Sequence, residues 1–230
     1  TLLRDIRDGA PFAFQGERRM RCSFAQRGPL TVGFHCEAWD PTQPWVIDPM
    51  VYATYLGGAD IDEGYDVAVD ASGSAYVTGR TWSVDFPATP GAIRETLNGS
   101  SDAFVGKLDP AGSALVSATY LGGSGGERGL SISVDSSGSI YVTGLTLSPD
   151  FPATGGAFDE TYNGNQDAYV AKLSPAGDRL AYATYLGSAT QDEGAAIALD
   201  AEEGAVVAGF TSFGDFPATG GAFDETYNGN

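Results

Sequence analysis

The sequence predicts an all-β fold, and three observations support that prediction. The 230-residue chain repeats itself every 65 residues, as the Tyr-Leu-Gly triplets that begin at Tyr55, Tyr120 and Tyr185 show. Within each period, short runs of alternating residues are separated by turn residues, a pattern typical of strands. No window of the sequence carries apolar residues at a convincing helical spacing. A fixed period of this kind indicates that one structural unit recurs along the chain.

Each repeat is predicted to contain four strands. In the first strand, large apolar residues alternate with small ones, as a strand covered on both faces allows. The predicted strands are residues 67–69, 132–134 and 197–199 for the first, 76–78 and 141–143 for the second, 103–108 and 168–173 for the third, and 115–121 and 180–186 for the fourth.

Tight turns join the first strand to the second and the third to the fourth. Asp70 and Asp135 each open an Asp-x-Ser-Gly turn, in which the glycine tolerates a positive φ. Pro110 and Pro175 preset φ in the second kind of turn. Stacked four-stranded antiparallel meanders are the blades of a β-propeller. A solenoid of hairpins is the alternative, but the propeller is favoured because radial blades bury both faces of each sheet.

Several motifs resemble a known family, the SBBP (seven-bladed β-propeller) repeat. The motifs are Tyr52-Ala53-Thr54-Tyr55-Leu56-Gly57-Gly58, Val-Asp-x-Ser-Gly-Ser-x-Tyr-Val-Thr-Gly, Asp-Phe-Pro-Ala-Thr and Asp-Ala-Phe-Val-x-Lys-Leu. The resemblance covers about residues 50–230, and residues 39–49 resemble the end of an uncharacterised β-rich domain that often precedes such repeats. It implies a bacterial protein, exported or surface-associated, from a family mostly without an assigned activity.

The chain is predicted to have two parts: a β-rich segment over residues 1–49 and propeller repeats over residues 50–230. The first 50 residues carry six basic and six acidic residues, whereas the remainder carries six basic and 24 acidic ones. A strand over residues 51–57, two full repeats and half of a third make about two and a half blades, fewer than a ring needs. The chain is therefore expected to be a fragment of a longer protein, or to complete its ring with other chains.

Charge and composition narrow the range of partners. The formal net charge of −18 disfavours binding to nucleic acid or to an anionic membrane. No run of 18 apolar residues exists, so no membrane-spanning helix is predicted. In an antiparallel meander, the long second-to-third connections and the connections between repeats lie on one face. A protein or glycan ligand is expected on that face, because long loops often carry function.

Acidic residues recur in the predicted connections between repeats. They are Asp60, Asp62, Glu63, Glu127, Asp192 and Glu193. Carboxylates beside glycine carbonyls suit a hard cation, so these residues are candidate calcium ligands. The alternative is a solvated acidic rim that keeps the protein soluble. Arg128 stands where the other repeats have Glu63 and Glu193, and no EF-hand spacing is present. No other cofactor is indicated.

Cys22 and Cys36 are the two cysteines of the chain and flank a predicted turn at residues 26–29. They could face each other across a hairpin and form a disulfide in an oxidising compartment. Two separate buried thiols are an equally good interpretation of the sequence.

The expected function is that of a non-catalytic, exported or cell-surface scaffold, adhesion or binding module. The sequence has no nucleophile elbow, phosphate-binding loop or dinucleotide motif. The aromatic residues of the Asp-Phe-Pro-Ala-Thr motifs, Phe86, Phe151 and Phe216, are expected to pack the loops onto the blades. The alternatives are a glycan-active enzyme that uses loop carboxylates, and a structural subunit of a larger extracellular assembly. Like environments in successive repeats disfavour the enzyme, because a catalytic pair of acids needs unlike pKa values.

Overall fold

The computed structural model describes residues 12–15, 18–28, 31–36, 40–43, 46–47, 53–212, 214 and 216–228. The chain divides into two compact units, Thr1–Ala53 and Thr54–Asn230. All regular structure in the described residues is β-strand, which confirms the predicted fold class. No helix among these residues is long and apolar enough to cross a membrane.

The first unit contains one four-stranded antiparallel sheet with the spatial order β3-β2-β1-β4. Its strands are β1 (Phe12–Gln15), β2 (Arg18–Gly28), β3 (Thr31–Cys36) and β4 (Val46–Ile47). Cys22 and Cys36 face each other on β2 and β3 and form a disulfide, which packs with the buried Ala13 and Met20. In the segment that resembles a preceding domain, Trp39, Pro44, Trp45, Asp48 and Pro49 lie outside the described residues.

The second unit contains two four-stranded antiparallel meanders, blade 1 and blade 2, and a two-stranded hairpin that begins the third repeat. Blade 1 consists of β5 (Asp62–Val69), β6 (Ala75–Thr81), β7 (Asp102–Leu108) and β8 (Leu115–Leu121). Blade 2 consists of β9 (Glu127–Val134), β10 (Ile140–Thr146), β11 (Asp167–Leu173) and β12 (Leu180–Leu186). The hairpin consists of β13 (Asp192–Leu199) and β14 (Ala205–Thr211). The prediction of four strands per repeat is therefore confirmed for both complete repeats.

Two predicted boundaries were wrong. Residues 53–57 are not a strand, because the described part of the chain offers no neighbouring strand with which they could pair; residues 51 and 52 lie outside that part. The first strand of each repeat begins five residues earlier than predicted, at Asp62 in blade 1. A β-bulge at Tyr65 breaks the alternating pattern there, so the sequence shows only the half of the strand that follows the bulge.

The bulge accounts for a recurring glycine on the second strand. A Cβ atom on Gly79 would lie 1.8 Å from the carbonyl oxygen of Glu63, and one on Gly144 would lie 1.8 Å from that of Arg128. Only glycine lets the two backbones approach so closely. The same relation holds at Gly209, so the bulge is part of the repeat.

The blades pack face to face, and most of the core lies between them. One cluster joins Tyr76 and Val105 of blade 1 to Ile132 and Val142 of blade 2. A second cluster joins blade 2 to Ile197 of the third repeat. Each sheet therefore depends on the neighbouring repeat to cover it, as in a β-propeller.

Candidate functional site

The irregular segments of the second unit lie on one face of the blades. The tight turns 70–74, 109–114, 135–139 and 174–179 lie at the opposite ends of the strands. We call the face that carries the irregular segments the long-loop face. It consists of loops 82–101 and 147–166 and the inter-repeat turns 57–61, 122–126 and 187–191.

The six predicted acidic residues do not all lie in the inter-repeat turns, so that part of the prediction was wrong. Only Asp60 lies in a turn. Asp62, Glu127 and Asp192 are the first residues of β5, β9 and β13, and Glu63 and Glu193 follow two of them. The strands begin earlier than the sequence pattern indicates, so these side chains stand at strand ends.

The first acidic residue of each repeat holds the turn that precedes it. Asp62 Oδ2 accepts hydrogen bonds from the Gly58 amide (2.7 Å) and the Ser83 hydroxyl (2.9 Å). In the third repeat, Asp192 Oδ2 accepts them from the amide and the hydroxyl of Ser188, at 2.7 and 2.9 Å. An acid at this position therefore satisfies the polar groups of a turn that makes few backbone hydrogen bonds of its own.

Glu127 makes the most complete set of these contacts. Its Oε2 accepts from the Gly123 amide (3.0 Å), and its Oε1 accepts from the hydroxyls of Thr146 (2.8 Å) and Ser148. The side chain is fully buried, and burial raises its pKa although these donors favour the charged form. A fully buried and fully bonded carboxylate is a structural group that no substrate can reach.

A second carboxylate in each repeat holds the same turn from the side of the long loop. Asp85 Oδ1 accepts from the Ala59 amide (2.9 Å), and Asp150 Oδ1 accepts from the Ser124 amide (2.7 Å) and hydroxyl (2.8 Å). These residues open the Asp-Phe-Pro-Ala-Thr motifs; Asp215, which opens the third, lies outside the described residues.

The phenylalanine of that motif packs the loop onto its blade. Phe86 is buried with its ring centroid 4.7 Å from that of Phe104, and Phe151 is buried 4.6 Å from Tyr169. The packing prediction is confirmed for these two residues, whereas Phe216 in the third copy is 37% exposed. The motif and the acidic residues together supply contacts to a surface whose irregular backbone makes few hydrogen bonds of its own.

A comparison with protein families now bears on these motifs. Residues 51–87 and 118–152 match the model of the SBBP family, which is described as a beta-propeller repeat. Two segments of the chain therefore match the SBBP repeat. Both matches run from the end of one repeat, through the inter-repeat turn and the first two strands, and both end in the Asp-Phe-Pro motif. No curated protein matches the chain.

The six candidate calcium ligands are not grouped around one point. Among the residues that the structure describes, no three His, Cys, Asp or Glu side chains are grouped so that they could hold an ion. Asp62 and its equivalents point into separate inter-repeat turns, one in each repeat, and already accept hydrogen bonds there. Calcium binding therefore gains no support from the geometry.

Sequence reasoning missed two features of the long-loop face. Arg80 and Arg128, from neighbouring blades, line one small cavity. Phe158 is 71% exposed beside a larger cavity of about 410 Å³, which Asp159, Asn163 and Pro217 also line. A usable signal was present in the sequence, since basic residues are rare after residue 50 and Arg128 departs from the repeat.

Proposed function

We propose that this SBBP-repeat chain is a non-catalytic binding module whose protein or glycan ligand docks on the long-loop face. The main support for the proposal is a recurring set of hydrogen bonds. Asp62, Glu127 and Asp192 accept hydrogen bonds from the amides of the inter-repeat turns and thereby hold this surface in place. A surface that is rigid before binding loses little conformational entropy when a ligand docks.

The exposed aromatic side chain on this face supports the proposal. Phe158 is exposed beside the 410 Å³ cavity. Asp159 and Asn163, which also line the cavity, form a hydrogen bond in which the Asn163 side-chain amide donates to Asp159 Oδ2. An exposed aromatic ring beside polar groups offers the apolar contact and the hydrogen bonds that recognition surfaces combine.

The burial of two candidate acids argues against the alternative of a glycan-active enzyme. Of the six, Glu127 and Asp192 are fully buried, so a sugar could not contact them without unfolding of the turn. Asp60 and Glu63 are exposed and Asp62 and Glu193 are half-buried, but each repeat then offers no pair of accessible acids in unlike environments. A general acid must come within hydrogen-bond reach of the atom that it protonates. We therefore prefer binding to catalysis.

Blade 1 and the hairpin of the third repeat each have an apolar face that no described blade covers. Val67 and Val69 on β5 are more than half exposed, and so are Val206 and Phe210 on β14. The equivalent residues Ile132 and Tyr141 of blade 2 are buried between blades. We propose that further blades cover these faces and complete the ring, either from a longer chain or from other chains.

The Cys22–Cys36 disulfide and the strongly acidic, lysine-poor composition support an exported or cell-surface location.

One experiment tests the binding and non-catalytic parts together. The chain is run by affinity electrophoresis through a panel of polysaccharides and glycoproteins, and each mixture is analysed for released products. We expect retardation by at least one ligand without products, weaker retardation for Phe158→Ala, and no change for Val116→Ala, an exposed residue on β8. Released products, absence of retardation throughout, or an unchanged Phe158→Ala variant would each contradict the proposal.

A further inference from the structure

Two arginines from neighbouring blades meet at a point where the repeat is broken. Arg80 is the next-to-last residue of β6 in blade 1, opposite Glu63, and Arg128 is the second residue of β9, opposite Leu145. The third repeat has Glu193 and Phe210 at these positions. Because the other repeats do not reproduce this pair, the fold of a blade does not require it.

The Arg80 guanidinium is held in place from two sides. Its Nε donates to the Ser101 hydroxyl at 2.8 Å, and its Cζ lies 3.9 Å from the ring centroid of Trp82. Stacking of this kind orients a guanidinium without neutralising it. Arg80 is half-buried, whereas Arg128 is exposed.

Neither arginine forms a salt bridge with another described residue, although Glu63 and Glu127 lie near enough to favour the charged form of Arg80. Among the described residues, the salt bridges within 4.0 Å are Lys172–Asp135 and Arg179–Asp178, and neither includes Arg80 or Arg128. Glu63, opposite Arg80, accepts the hydroxyl of Tyr65 instead. Burial, followed by the charge of Arg128, lowers the pKa of Arg80. Two like charges held together in a protein of net charge −18 are most readily explained by an anion that binds between them.

A cavity of about 140 Å³ opens between the two arginines. Leu145 and Leu147 give it an apolar wall, and Gln166 and Glu193 supply an amide and a carboxylate. We propose that this cavity binds one uronic acid residue of a glycan, with its carboxylate between Arg80 and Arg128 and its hydroxyl groups toward Gln166 and Glu193. The proposal rests on the binding function argued above and names the ligand class of one part of the long-loop face.

The charges around the cavity favour a ligand with a single carboxylate. Glu193 lines the cavity and Glu63 lies beside Arg80, so a second negative charge on the ligand would be repelled. Hydroxyl groups can donate to Glu193, which an acidic peptide side chain cannot do. The volume also suits one sugar ring in contact with the two leucines.

The test compares two sugars that differ only in the carboxylate. Methyl β-D-glucuronide and methyl β-D-glucoside are titrated separately into the isotopically labelled chain, and amide shifts are followed by NMR. We expect the glucuronide to shift the amides of Gly126 and Gln166, and the glucoside to bind about tenfold more weakly or not at all. Arg128→Gln should weaken glucuronide binding about tenfold. Arg179→Gln, which removes an equal charge from the opposite face, should leave it unchanged.

Each other outcome overturns the inference. Equal binding of the two sugars would mean that the arginines do not recognise the carboxylate. Sulfate and N-acetyl-aspartate amide are titrated as further anions, and binding of either as tightly as the glucuronide would indicate an anion site without sugar selectivity. Failure of the glucuronide to bind would reject the uronate site. The wider binding function would still stand if the electrophoresis panel showed retardation that depends on Phe158.

Discussion

Asp167 and Asp192 stand side by side where blade 2 meets the third repeat, and each has one buried oxygen that no described group bonds. The residues before them, Gln166 and Gln191, form a parallel β-bridge, and the Asp192 amide donates to the Gln166 carbonyl at 2.9 Å. The corresponding acids between blades 1 and 2, Asp102 and Glu127, have hydrogen bonds on all four oxygens. The second junction therefore holds two buried carboxylates that are under-bonded.

Replacing Asp167 with asparagine should stabilise the protein at neutral pH. Burial, reinforced by the nearby charge of Asp192, raises the pKa of Asp167 to about 6, against about 3.9 in an unfolded chain. The folded state thus holds this proton more tightly, so the stability that the group contributes is present below about pH 4 and is lost as the pH rises through 6. We expect Asp167→Asn to raise the free energy of unfolding at pH 7 by about 1–3 kcal/mol.

Urea denaturation between pH 4 and 7.5 checks this expectation. The variant should show a smaller fall in stability with rising pH than the original protein. Asp60→Asn, which removes an exposed carboxylate, serves as the control and should leave the slope unchanged. A variant that is less stable at pH 7, with an unaltered slope, would refute the assignment.

Glu127→Gln should destabilise blade 2 by about 1–3 kcal/mol, because a buried amide group would face the donors of Gly123, Thr146 or Ser148. The matched control is Glu160→Gln. Glu160 also accepts from the amide four residues before it, that of Gly156, but is exposed to solvent. Glu160→Gln should lower the free energy of unfolding by less than about 0.5 kcal/mol, as measured by thermal unfolding. Equal effects of the two substitutions would mean that burial does not set the importance of the acid.

The turns and the approximate positions of the strands could be predicted from the sequence. Turn residues such as Asp70 and Pro110 and the alternation after the bulge locate the strands because each depends on a few neighbouring residues. The burial of Glu127 and Asp192 could not be predicted, since it arises from contacts with other segments at the junction between repeats. The meeting of Arg80 and Arg128 likewise depends on how two blades stack, which a period in the sequence does not specify.

Phe151→Ala and Phe158→Ala should differ sharply in stability although they lie in the same loop. Phe151 is 4% exposed and contacts the rings of Tyr169 and Tyr185, so its loss should cost about 3–5 kcal/mol. Phe158 is largely exposed, and its replacement should change stability by less than about 0.5 kcal/mol. Calorimetry on both variants decides the matter. A large loss for Phe158→Ala would assign it to packing and remove the support that it gives to a binding surface.

Gly129→Ala and Gly64→Ala provide the most direct test of blade stacking, because the two glycines occupy the same position in successive repeats. A Cβ atom on Gly129 would lie 2.1 Å from Thr78 Oγ1 of blade 1, whereas the nearest atom to one on Gly64 is 3.7 Å away, within its own blade. Thr78 cannot easily move, since its buried hydroxyl donates to the Phe104 carbonyl at 2.8 Å. Overpacking of this kind should destabilise Gly129→Ala by about 1–3 kcal/mol. Gly64→Ala should be neutral or stabilising by up to about 1 kcal/mol, because alanine has less conformational freedom in the unfolded chain. Denaturant titration of the two variants gives the difference, and equal stabilities would mean that blade 2 does not press against Thr78 of blade 1.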